Sequence, residues 1–132
     1  MSIDMLKYSQ EEASQTATAN TESKDNTQNR IPVHGKLHSV KLDLTGAASP
    51  QVDISLISLA DEGIGSARTL YNITATGDRY DIIRENAVNS TGSAITNSFT
   101  QNALAGDVLY LECTNATKAG INVELRVFIE HP

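Results

Sequence analysis

His34 and His38 stand four residues apart, the spacing that would bring two imidazoles to one metal ion if the segment were helical. The surrounding pattern is that of a strand, because Val40, Leu42 and Leu44 alternate with Lys41, Asp43 and Thr45. Four residues along a strand cover about 13 Å at about 3.3 Å each, too far for one ion to bridge, so no metal site is expected. The acids Asp61, Glu62, Asp78, Asp81 and Glu85 show no Asp-x-Asp-x-Asp-Gly calcium pattern and read as solvated loop charges. Sixteen acids always offer pairs, and only their separation would make a pair hydrolytic. Cys113 closes an apolar run with no histidine near it in sequence, which marks a core thiol rather than a nucleophile. The Gly-x-Ser-x-Gly, Gly-x-x-x-x-Gly-Lys and Gly-x-Gly-x-x-Gly motifs do not occur, and Gly63-Ile64-Gly65 reads as a turn. The reading is of a non-enzymatic chain with no catalytic residue and no cofactor.

Sugar binding usually needs exposed aromatic faces, and the chain has no Trp, two Phe and four Tyr. Tyr71, Tyr80 and Tyr110 fall in expected strands, where core packing is the default. The sequons at Asn72, Asn89 and Asn115 read as chance in a chain rich in Asn and Thr. A net charge of −6 and a pI near 4.9 argue against phosphate backbones and anionic membranes as partners. One cysteine cannot form an intrachain disulfide, the first residues lack the apolar core of a secretory signal, and no run of eighteen apolar residues occurs. Synthesis in a cytoplasm is therefore expected.

The elements that must position any site come from a domain of about one hundred residues, 31–132. Strands are expected at Val40–Thr45, at Val52–Leu59, over Leu70–Thr74 with Arg79–Arg84 as a hairpin, and over Val108–Cys113 with Ile121–Ile129 as a closing pair. The last of these alternates without a miss and should be central to the core. Its polar side carries Phe128, which points to a sheet-edge contact or an interface. Glu85–Asn102 is polar around Gly92 and reads mainly as an exposed excursion, with one short strand near Ala94–Phe99. The whole is an all-β antiparallel β-sandwich or jelly-roll-like domain.

Residues 1–30 stand apart. An apolar tip of Ile3, Met5, Leu6 and Tyr8 precedes twenty-two residues, Ser9 to Arg30, with nothing more apolar than Ala. Such a tract cannot offset the entropy of ordering itself, so it reads as an extended polar N-terminal arm able to reach roughly 70 Å at about 3.3 Å per residue. Ser9 and Glu12 have capping-box spacing, which would allow a short helix at the tip. The four apolar residues are the expected anchor on a partner.

Gly35-Lys36-Leu37 leading into Val40–Thr45, then Val52-Asp53-Ile54-Ser55-Leu56, form the first half of a recognisable layout. The polar excursion at Asn89-Ser90-Thr91-Gly92 and the closing Gly106–Tyr110 and Ile121–Glu130 segments complete it. In that layout the chain resembles small tailed-bacteriophage head decoration (cement) proteins. The resemblance implies a structural protein on the outer surface of a virion. It would stabilise joints between copies of the major capsid protein and contact neighbouring copies of itself, with the arm as tether. The alternative is a receptor- or glycan-binding module of a phage fibre or tail.

Overall fold

The computed structural model describes residues 2–13, 32–58, 68–117 and 120–131, all as strands and their connections. Ten strands follow in chain order: β1 (Ser2–Ala13), β2 (Val33–Thr45), β3 (Val52–Ser58), β4 (Arg68–Ala75), β5 (Arg79–Ile82), β6 (Glu85–Val88), β7 (Ala94–Thr100), β8 (Ala103–Asp107), β9 (Leu109–Thr114) and β10 (Ile121–His131). Two antiparallel sheets pack face to face, giving the all-β sandwich that the alternating pattern implied. Sheet A has the order β1-β10-β2, with β5 and β8 both paired to the far edge of β2; sheet B has the order β4-β3-β9. A third, two-stranded ribbon joins β6 to β7.

Period-two alternation builds the core directly. β10 turns Ile121, Val123, Leu125, Val127 and Ile129 inward, and β2 adds Leu37, Val40, Leu42 and Leu44. Val52, Ile54 and Leu56 of β3 and Leu109, Leu111 and Cys113 of β9 meet them from sheet B. At about 1.5–3 kcal/mol for each large aliphatic side chain, this layer is the main source of stability. Cys113 is buried as expected, and that burial pushes its thiol up to about 12.

Polar ties lock the sheets together at their edges. The Tyr71 hydroxyl on β4 donates to Asp81 on β5, which Arg79 Nε also reaches at 2.7 Å. Ser58 Oγ donates to Asp107 Oδ1 at 2.6 Å, and Arg68 Nη2 stands 3.3 Å from the same oxygen. On β2, Gly35 sits at φ +132°, next to Lys36, which pairs with Glu130 of β10. A Cβ there would lie 2.6 Å from the Glu130 carbonyl oxygen, so the close approach of the two strands demands glycine.

Several expectations need correcting. The tip of the arm is neither helix nor free: Ser2–Ala13 is β1, an edge strand of the domain itself, paired in register from Ser2 opposite His131 to Gln10 opposite Val123. A domain boundary at residue 31 therefore fails for the tip, while 14–31, the body of the expected tether, lies outside the described residues. Leu70–Thr74 and Arg79–Arg84 do not form a hairpin, because β4 belongs to sheet B and β5 to sheet A. For the same reason β9 and β10 are a corner between sheets, not a closing hairpin. Three-residue and six-residue connections suit either geometry, and what separates them is the demand for cover on both inner faces. Asp61, Glu62 and Gly63-Ile64-Gly65 also lie outside the described residues.

Candidate functional site

The two outer faces of the sandwich differ in kind. On sheet B two outward rows are polar, Thr74, Asp53 and Thr114 across one and Asn72, Ser55 and Glu112 across the next, and a third sets half-buried Ile57 between Thr69 and Tyr110. Asp53 accepts from Thr74 Oγ1 at 2.7 Å and from Asn115 Nδ2 at 2.9 Å, and these bonds, Asn115 first, hold its carboxyl below the usual range. Such a face is content in water.

Sheet A presents the opposite. The register aligns Met5 with Phe128, Phe128 with Ser39 and Ser39 with Ile82 across all four strands. The adjacent row runs Lys7, Arg126, Lys41 and Tyr80. Ile3, Phe128 and Tyr80 line one shallow depression with His38 and Ser39. Ile3, Met5, Tyr80 and Ile82 are 46 %, 49 %, 54 % and 60 % exposed, so β1 and β5 leave a strip of apolar side chains in water on either side of Phe128, with Ser39 buried among them. Among the charges beside it, Arg126 spends its guanidinium on Glu124 at 2.7 Å and Asp43 at 3.6 Å.

The four expected anchor residues divide between two jobs. Tyr8 is wholly buried and Leu6 packs against the core, so both hold β1 to its own domain. Ile3 and Met5 face out and belong to the strip. Phe128 sits where its position on the polar side of β10 suggested. Tyr80 corrects the expectation of a core ring: Asp81 turns inward to meet Tyr71, which forces Tyr80 and Ile82 outward. Alternation alone shows that those two share a side; only the Tyr71 partner decides which. Tyr110 is half-buried on the outer side of sheet B and Tyr71 is a core ring.

A second exposed apolar feature adjoins the first. β5 ends at Ile82 on the edge of β2, β8 resumes that edge at Ala103, and β6 and β7 form the excursion between them. This hairpin places Val88 and Phe99 in water at 59 % and 64 % exposure. No charged residue occurs from Asn86 to Gly106. Asn89 shapes its turn, its side-chain oxygen accepting from Thr91 N and Ser93 N at 3.0 Å each.

His34 is exposed and His38 is half-buried against Ser39 Oγ at 2.8 Å, both on a strand as read. Among the described residues no group of three or more His, Cys, Asp or Glu could hold a metal ion. No protein-family model, curated protein or solved structure matches this chain.

Proposed function

We propose that this chain is a non-enzymatic docking protein, a decoration or cement protein of a viral shell, that lies with the outer face of sheet A on the major capsid protein. The polar face of sheet B then looks to solvent. One observation supports this reading above the others: the outer face of sheet A leaves Ile3, Met5, Tyr80 and Ile82 about half exposed around Phe128, whereas two outward rows of sheet B are polar throughout. Contiguous apolar area on a soluble domain marks a contact surface.

The energetics favour a lattice over a single partner. The side chains of the strip are already about half covered, so docking each returns of order 1 kcal/mol and the whole strip about 5. That only matches the lower end of the cost of association, about 4–15 kcal/mol. A single copy holds weakly; many copies on a repeating surface hold well.

Replacing Tyr80 and Met5 by Glu should lower occupancy on purified particles by at least about tenfold, since each places a charge against an apolar contact. Thr74→Glu on sheet B should leave occupancy unchanged. Equal occupancy for both variants would overturn the reading. Copies per particle comparable with capsid protein support a shell role, and a handful per particle would favour a fibre module instead.

A further inference from the structure

The charges around the apolar strip of sheet A are unevenly mixed. Three rows hold the strip: Ile3, Glu130 and Lys36; Met5, Phe128, Ser39 and Ile82; and Lys7, Arg126, Lys41 and Tyr80. Among their charged members Lys7, Lys36 and Lys41 are exposed, whereas Glu130, the one acid, is half-buried. Arg126 is already committed to Glu124 and Asp43 in the next row. Three exposed ammonium groups therefore stand around Phe128, two on β2 to either side of it and one on β1, in a chain whose net charge is −6. The three outward rows of sheet B described above carry only acids, Asp53 and Glu112. The two outer faces thus differ in sign as well as in polarity.

Pressing this face on a neutral surface would strip water from the lysines and give nothing back. We infer that the partner of sheet A is an acidic protein surface, with carboxylates that face Lys7, Lys36 and Lys41 around an apolar patch that meets Phe128 and Tyr80. The inference rests on the docking proposed for this face and adds the chemistry of its partner. A continuous polyanion fits less well, because the apolar strip splits the cations and the next row, Glu124 and Asp43, would repel it. An acidic chain that approaches an acidic partner is turned by repulsion until sheet A leads, so the same three charges select the docking face. Charges at the rim of a contact act mainly on the rate of encounter and its salt dependence. The apolar centre acts on how long the contact lasts.

The test follows binding of the full chain to purified particles at about 0.1 M and about 1 M salt, between which the screening length falls from about 10 Å to about 3 Å. Wild type should associate at least about tenfold more slowly at the higher salt. A triple variant, Lys7→Gln, Lys36→Gln and Lys41→Gln, should associate about tenfold more slowly at the lower salt and lose most of the salt dependence. Its dissociation rate and urea midpoint should stay close to wild type, and Arg at the same three positions should restore the wild-type profile. Tyr80→Ala should do the reverse, speeding dissociation several-fold with the salt dependence intact. If Tyr80→Ala weakens binding while the Gln variant matches wild type at both salts, docking through sheet A stands and the acidic partner is overturned. If neither variant weakens binding, the docking reading falls and takes the inference with it. Wild-type binding to phosphatidylserine-containing vesicles that the Gln variant loses, with particle binding unaltered, would overturn a protein partner in favour of a lipid surface.

Discussion

Tyr8 brings a whole phenol ring into the core, and among the described residues its hydroxyl finds no hydrogen-bond partner. Burial raises its pKa accordingly, since an anion there would have neither water nor a donor. The ring contributes and the oxygen costs, which makes two substitutions diverge. Tyr8→Phe should be neutral or stabilising by up to about 2 kcal/mol, whereas Tyr8→Ala should cost about 3–5 kcal/mol and loosen β1. Urea unfolding monitored by circular dichroism measures both. Gly35 has no room for a side chain: Gly35→Ala puts a methyl group on the Glu130 carbonyl at a positive φ and should cost more than about 1 kcal/mol on the same assay.

Pairs of strands differ in how firmly they are held. β10 lies between β1 and β2 with its inner side fully buried, while β6 and β7 contact mainly each other. A lone two-stranded ribbon is marginal in water. Hydrogen exchange should therefore run at least about 100-fold faster in β6 and β7 than in β10. Equal protection would mean that the hairpin is packed on something in the free protein.

The seams between sheets respond to acid. Partial burial pushes the Asp107 carboxyl up, but Ser58, the Ala105 amide and Arg68 more than offset it, so its pKa is lowered. Arg79 first, then Tyr71, does the same for Asp81. Groups lowered on folding add stability above their unfolded pKa, about 3.9, and that contribution disappears as pH falls through the folded value. Stability should hold at neutral pH and fall below about pH 4. Asp107→Asn should cost about 1–3 kcal/mol at pH 7, with the gap to wild type closing at about pH 3. Denaturation at the two pH values checks the sign.

For the molecule as a whole, the unequal outer faces matter more than any single group. Under the docking proposed above, an acidic chain whose sheet A leaves apolar side chains in water would lie with that sheet on its partner, and weak attachment of one copy would be offset by repetition.

Composition and alternation were enough to establish the all-β class, the buried faces of β2, β3, β9 and β10, and the central place of the last strand, because burying one side of a strand writes period two into its residues. They also brought Phe128 into view as an apolar residue on a polar side. Sheet membership was beyond them: a short connection after Ala75 or Thr114 fits a hairpin and a corner equally well. The side on which Tyr80 lies depended on Tyr71 meeting Asp81 across the sandwich. The placement of β1 was decided by tertiary structure alone. A strand with only four apolar residues looks unable to hold itself, and it becomes ordered because β10 supplies both the missing hydrogen bonds and the core that Tyr8 enters.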